Sequence, residues 1–305
     1  MIKIEDKITE IFCSVDDFCK EFDSLINSHS LVDDTLKHRR KRSKALDTSE
    51  VITIMICFHL GSFRNMKHFY INYVQKHLKS EFPKTVSYNR FVELMQKAVL
   101  PMTLFLKLKR MGSCTGIGFI DSTVIRVCKN QRIHSHKVFS GLAERGKGSM
   151  DWFYGFKLHL IINDKGELLR FFITPGNVDD RNMKVIEKMS KNLWGKLFGD
   201  RGYVSKTLFE FLFMNGIHLV TKIRNNMKNS LMSIADKVNL RKRAIIESVN
   251  DELKNICQIE HSRHRSPMNF FTNLIAALIA YSYFDKKPAI QYVSENPNQL
   301  NLFYA

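Results

Sequence analysis

The sequence predicts a mixed α/β domain, with a five-stranded sheet and flanking helices, preceded by an all-α N-terminal region. Apolar residues recur at helical spacing through residues 1 to about 110. From Gly116 onward they alternate with the period of two that is typical of β-strands. Three strand-like segments come first in this second region, and helical and strand-like segments then alternate, which indicates a sheet covered by helices.

Four helices are predicted in the N-terminal region. They are indicated by an apolar series from Ile8 to Ile26, a capping box at Asp47 and Glu50, the segment Phe63 to His77, and an N-cap at Ser87.

Basic residues of this region suggest contact with DNA. Arg39 and Arg40 belong to a dense basic run, and Arg90 follows Tyr88 and Asn89 at the start of a helix. Short helices with polar and basic N-termini are typical of a helix-turn-helix-like DNA-binding region. An ordinary helical bundle with a charged face explains the same residues equally well, so both interpretations stay open.

The order of elements after Gly116 is informative. In sequence they are a strand leading to Asp121, a hairpin of Tyr154–Ile162 and Leu168–Ile173, a helix opened by Asp179 and Asp180 toward Met189, a strand at Leu197–Gly199, a helix near Ser205–Met214, a strand at His218–Ile223, and helices around 240–256 and 268–284. This is the order of a ribonuclease H-like fold. Residues 128–150 are irregular and basic, and we expect them to form a mobile loop.

Composition favours a nucleic-acid partner. The 305 residues carry a formal charge of +17 and a pI near 9.6, and such an excess attracts polyanions. Six scattered cysteines without a C-x-x-C pair argue against a zinc site and for a reduced, cytoplasmic protein. The N-terminus lacks a signal-peptide pattern, and the apolar stretch Phe270–Phe284 is too short to span a membrane, so no membrane partner is expected.

Three carboxylates form the candidate catalytic site. Asp121 and Asp200 each follow an apolar strand, and these two strands lie side by side in a ribonuclease H-like order. Glu247 lies on a late helix, where Arg243 and Lys254 are spaced to share its face. Two strand-end Asp residues and one helical Glu in a basic chain suit a site for two divalent cations, which prefer oxygen ligands.

Each carboxylate also has an ordinary structural explanation, as a turn cap or a solvated helical side chain, and only the combination favours a site. Asp251, one turn beyond Glu247, is the alternative third carboxylate. Asp179 and Asp180 are predicted to cap a helix. His134 and His136 lack a carboxylate or Cys partner, and a basic DNA-contacting loop is favoured there. Trp152 is favoured as a core-edge aromatic, with base stacking as the alternative.

Nearly the whole chain resembles DDE transposases of bacterial insertion sequences. The stretches that carry the resemblance are Ser87–Phe91, Ile120–Thr123, Tyr154–His159, Thr174–Asp180, Gly199–Tyr203, and Arg243–Glu247 with Lys254. Leu240 stands where related families have the tyrosine of their Tyr-Arg-Glu-Lys pattern, so no tyrosine role is carried over.

The resemblance implies a catalytic and metal-binding triad of Asp121, Asp200 and Glu247 that holds two Mg²⁺ ions, for which Mn²⁺ can substitute. The implied activity is cleavage at the ends of an insertion sequence and joining of the freed 3′-OH ends to target DNA, by a homo-oligomer. Arg243, Lys254 and Arg201 would neutralise phosphates at the site. They complete the expected DNA-binding set together with Arg39, Arg40 and Arg90 of the N-terminal region. The expected organisation is a DNA-binding region 1–112, a catalytic domain 113–288 and a tail 289–305. The alternatives are a catalytically silent DNA-binding derivative or another ribonuclease H-like nuclease.

Overall fold

The computed structural model describes residues 4–29, 45–148, 151–222, 232–260 and 264–292. The chain folds into two compact units, and most contacts between residues lie within one unit or the other. The first comprises residues 1–110 and 253–283, and the second comprises residues 111–252 and 284–305. The sequence analysis placed residues 253–283 in the catalytic domain, whereas their contacts lie within the first unit. The functional division into domains stays a prediction.

The N-terminal part of the first unit is helical, as predicted. Its helices are α1 (Ile4–His29), α2 (Thr48–Leu60), α3 (Met66–His68), α4 (Gln75–His77), α5 (Tyr88–Lys97) and α6 (Val99–Phe105), with π-helical segments at Phe69–Val74 and Leu106–Arg110. The Asp47 N–H donates to Glu50 Oε2 at 2.6 Å, and Ser87 Oγ accepts from the Arg90 N–H at 3.4 Å. These contacts confirm the predicted capping box and N-cap.

The third predicted helix is wrong in its start and its regularity. Ser62 has a left-handed backbone with φ of 55°, which interrupts helical structure just before Phe63. Asn65 is the N-cap, since its Oδ1 accepts from the His68 N–H at 3.0 Å, and the helix therefore begins at Met66.

The second unit is built on one six-stranded mixed sheet. Its strands are β1 (Ile117–Cys128), β2 (Glu144–Lys147), β3 (Trp152–Asn163), β4 (Leu168–Pro175), β5 (Gly195–Gly199) and β6 (Ile217–Thr221). β1 pairs antiparallel with β3 and parallel with β5; β3 also pairs with β4 and β2, and β5 pairs parallel with β6. This topology confirms the ribonuclease H-like fold.

The sixth strand, β2, corrects the prediction of an irregular loop over residues 128–150. This segment contains a 3₁₀ turn at Asn130–Ser135 and then β2, which pairs with the start of β3. Gly146 also lets β2 lie close to the end of β4, because a Cβ there would lie 2.0 Å from the Gly176 carbonyl oxygen. A short, polar edge strand has no apolar alternation, so the sequence pattern gave no sign of it.

Helices cover the sheet of the second unit. They are α7 (Met183–Ser190), α8 (Lys206–Met214), α9 (Ile234–Arg241) and α10 (Ala244–Asp251). One face of the sheet and the helices α7 and α8 share a buried core that includes Ile120, Ile161 and Leu197. Phe119 and Phe198 point to the opposite face of the sheet, where their rings stack with centroids 5.4 Å apart. α10 packs against β1 and thereby approaches Asp121.

Two predicted helices of this unit differ from the structure. Asn182, and not Asp179 or Asp180, is the N-cap of α7, because its Oδ1 accepts from the Lys184 N–H at 3.0 Å. The helix predicted over 240–256 is divided into α9, α10 and a π-helical segment at Glu252–Ile256.

The chain then re-enters the first unit with α11 (Pro267–Ser282), which packs against α2. None of the helices in the described ranges has the length and apolarity needed to cross a bilayer.

Candidate active site

Asp121 was predicted to lie at the end of a strand, but it lies inside β1. Its surroundings change at this point, because the parallel pairing with β5 reaches only to Phe119, opposite Phe198. Continuing that register by two residues brings Asp121 opposite Asp200. Adjacent strands lie about 4.8 Å apart, so the sheet brings these two carboxylates to neighbouring positions.

Asp200 follows β5 directly and begins a 3₁₀ turn. Its Oδ1 accepts a hydrogen bond from the Gly202 N–H at 2.7 Å, which fixes one carboxylate oxygen to the turn. A Cβ on Gly202 would lie 2.8 Å from that same oxygen. The Asp-Arg-Gly sequence therefore lets the backbone approach the carboxylate closely.

Glu247 lies on α10 and is bound to Arg243, one turn earlier. Arg243 Nη2 lies 2.6 Å from Glu247 Oε1, and the two side chains differ in exposure at 18% for Arg243 and 60% for Glu247. Arg243 is thus a partly buried cation, while the carboxylate that it holds faces solvent.

Burial raises the pKa of Asp121 from 3.8 to about 6. The Arg243 guanidinium opposes this shift, and the Asp200 and Glu247 carboxylates add to it. Arg243, Asp200 and Glu247 therefore all lie near enough to act on Asp121 through space. The Asp121 carboxylate therefore has too little positive charge nearby to offset its burial, and a bound cation would supply that charge.

Asn250 is a member of this site that the sequence reasoning did not assign. Its Nδ2 donates to Asp121 Oδ2 at 3.1 Å, and its buried Oδ1 has no hydrogen-bond partner in the described part of the chain. It follows Glu247 by three residues, so the available signal was its place on the same helix. Asp251, the alternative third carboxylate, is exposed.

Tyr203 lies near the carboxylates of Asp121 and Asp200. Its ring is buried, and its hydroxyl has no hydrogen-bond partner among the residues described. Burial raises the pKa of Tyr203 well above its usual value, and the charges of Asp180, Asp121 and Asp200 raise it further.

Asp180 is the centre of a polar network and does not cap a helix. Its Oδ1 accepts from Ser122 Oγ at 2.9 Å and from Lys157 Nζ at 3.1 Å, and His159 Nδ1 lies 3.9 Å away. His159 Nε2 lies 2.9 Å from the Thr174 hydroxyl. Burial lowers the pKa of His159 to about 4. Because Ser122 follows Asp121 directly, this network anchors β1 beside the carboxylate.

The remaining predicted site residues lie in several places. Arg201 is exposed in the turn after Asp200. Arg90 and Lys254 belong to the first unit, where Arg90 pairs with Glu93, and Lys254 lies 3.7 Å from Glu260. Arg39 and Arg40 lie outside the described residues.

The donor set suits a hard cation only in part. Asp121, Asp200 and the free amide oxygen of Asn250 offer the oxygen ligands that Mg²⁺ prefers. Within the ranges that the structure describes, however, no three His, Cys, Asp or Glu side chains gather closely enough to hold an ion. Glu247 is bound to Arg243 instead.

The protein family of the chain follows from its match to a family model. A family model described as "Transposase DDE domain" matches residues 111–267, slightly more than half of the chain. The chain belongs to this family. This membership confirms the DDE-type resemblance, and the matched segment contains Asp121, Asp200 and Glu247.

The other comparisons add less. A search of curated proteins finds no match. A solved piggyBac transposase synaptic complex with hairpin DNA is similar, with a TM-score of 0.49 and 12% identity, covering 90% of this chain and 71% of that one.

Proposed function

We propose that the protein is a DNA transposase that cuts DNA at the ends of its mobile element and joins the freed 3′-OH ends to target DNA. The observation that carries the proposal is the meeting of Asp121, Asp200, Arg243 and Glu247 in one electrostatic site, inside the segment matched by the DDE family. The formal charge of +17 supports DNA as the partner. Joining two ends favours a homo-oligomer on the DNA.

Asp121 and Asp200 would hold divalent metal, with Glu247 joining them after it leaves Arg243. Mg²⁺ or Mn²⁺ bound there supplies positive charge at the attacking and leaving oxygens of the phosphodiester.

The other residues of the site have separate tasks. Asn250 orients the Asp121 carboxylate through its amide hydrogen bond. Arg243, once released by Glu247, is free to bind a DNA phosphate in a bidentate manner. Arg201, exposed in the turn after Asp200, is placed to bind a second phosphate.

The test is cleavage of DNA carrying the element's ends in the presence of Mg²⁺ or Mn²⁺. Alanine at Asp121, Asp200 or Glu247 should each abolish strand cleavage and strand transfer, while end binding in a mobility-shift assay persists. The matched control is Asp251→Ala, which removes an exposed carboxylate of the same helix and should leave cleavage intact.

Two outcomes would contradict the proposal. Cleavage that survives Glu247→Ala but not Asp251→Ala would assign the third carboxylate to Asp251. A parent protein that binds the ends but never cleaves them would be a silent DNA-binding derivative.

A further inference from the structure

Trp152, the first residue of β3, is exposed although the sequence favoured a place at the core edge. Its exposed fraction is 46%, whereas its neighbour Phe153 is buried at 1%. Tryptophan exposes a large apolar ring at a cost, so a ring left open on a regular strand is available for a ligand.

The backbone that carries this ring is fixed. Asn130 Nδ2 donates to the Trp152 carbonyl at 2.7 Å, and the Trp152 N–H donates to Asp151 Oδ1 at 2.6 Å. Lys147 of β2 pairs with Trp152 across the ladder. The indole is therefore presented from a strand that is paired with its neighbour, and a partner would not have to order that backbone.

A cation accompanies the ring. The Arg145 guanidinium lies 5.1 Å from the indole centroid, within the range of a cation–π contact. Glu144 is the single acidic residue between Arg126 and Gly148. The exposed basic residues of this segment are Arg126, Lys129, Arg132, Lys137, Arg145 and Lys147. A positively charged surface with an open aromatic face is the combination that binds unpaired nucleotides.

We propose that Trp152 and Arg145 form a stacking platform for an unpaired DNA base, while the neighbouring basic side chains hold the strand's phosphates. The proposal rests on the proposed function and deepens it, because it names a DNA structure that this surface binds. A base inside a duplex is already stacked on both sides, so the platform prefers a single strand or an extruded base.

The platform is separate from the carboxylates. Asp121 pairs with Leu160, and Trp152 lies eight residues before Leu160 on β3. At about 3.3 Å per residue this is roughly 25 Å along the strand. Loss of Trp152 should therefore weaken binding of unpaired DNA without removing a group that reacts.

The chain has two tryptophans, which makes the test direct. Trp194→Phe leaves Trp152 as the only indole, and its fluorescence is followed as an oligothymidylate of about 20 nucleotides is added to the full-length protein. A duplex of the same length is the comparison. Fluorescence anisotropy of labelled DNA measures binding independently of stacking.

We expect the oligothymidylate to quench Trp152, and the duplex to bind with little quenching. Trp152→Ala should weaken oligothymidylate binding about 5- to 150-fold, and duplex binding no more than about twofold. Trp152→Phe should restore most of the affinity because it keeps a ring. The matched control is Trp194→Ala, which removes an indole exposed at 59% and should change neither affinity.

Unchanged oligothymidylate affinity in Trp152→Ala, or binding without quenching, would overturn the platform and leave the proposed function standing. Failure of the parent protein to bind either DNA in the anisotropy assay would instead overturn the proposed function itself.

Discussion

Replacement of Asp121 by Asn tests the electrostatics of the site without DNA. Burial raises the pKa of Asp121 from 3.8 to about 6, so the folded chain holds this proton more tightly than the unfolded chain. Stability contributed by the proton is complete below the unfolded pKa and is lost as pH rises through the folded pKa. With about 1.4 kcal/mol per pKa unit, Asp121 costs the folded chain about 1.5 kcal/mol at pH 5 and about 3 kcal/mol at pH 7.5, relative to a side chain that stays neutral in both the folded and the unfolded state.

The assay is urea unfolding of the parent and Asp121→Asn at these two pH values, with a chelator present to keep cations away from the carboxylates. The variant should be more stable by about 1.5 kcal/mol at pH 5 and by about 3 kcal/mol at pH 7.5. Asparagine keeps an acceptor for the Asn250 amide, so the hydrogen bond remains possible.

Asp179 provides a control of opposite sign. Its bonds to Arg181 lower its pKa to about 2, so its stabilising contribution is present above pH 3.8 and is lost as pH falls through about 2. Asp179→Asn should therefore lose the same amount of stability at pH 5 and at pH 7.5. The loss should be small because the Asp179–Arg181 pair is exposed. An Asp121→Asn gain that does not grow with pH, or a loss of stability, would refute the argument from burial.

Three further substitutions test neighbouring groups. Lys157→Met leaves Asp180 beside buried His159 without its ammonium partner and should cost about 1–2 kcal/mol in urea unfolding, whereas Lys206→Met, at an exposed pair, should change stability by less than about 0.5 kcal/mol. Equal effects would contradict a structural network. Tyr203→Phe removes a buried hydroxyl that has no partner within the described ranges and should leave stability equal or higher; a loss above about 1 kcal/mol would show that the hydroxyl is bonded. Asn250→Ala should reduce strand cleavage about 10- to 100-fold with end binding intact, and full cleavage would exclude its orienting role.

The sheet was predictable because its strands are apolar and regular. Alternation marked β1 and β3, an apolar run after a turn marked β4, and the neighbouring placement of β1 and β5 follows from the predicted strand order. The edge strand β2 was not predictable, since its residues are mostly exposed and polar and show no apolar alternation. The break between α9 and α10 also escaped prediction, because neither Gly nor Pro marks it in the sequence.

The charged residues of the candidate site were predictable, but Asn250 and most of the contacts within the site were not. Asp121 and Asp200 could be placed on neighbouring strands from element order. Spacing on a helix brought Arg243 to Glu247, and the structure has that pair at 2.6 Å. The links of Asp180 to Ser122 and Lys157 and of Asn250 to Asp121 join segments far apart in sequence, and a single sequence contains no signal for such pairs.

The discontinuity of the first unit has a consequence for synthesis of the chain. α2 is buried along nearly its whole length, and one of its packing partners, α11, comes from residues 267–282. At roughly 5–20 residues per second, a ribosome needs on the order of 10–30 s to move from the end of the N-terminal helices to the end of α11. During that interval the nascent N-terminal helices keep apolar surface uncovered, which makes them a natural client of chaperones that bind chains on the ribosome. A recombinant fragment ending at Arg110 would carry this exposed surface permanently.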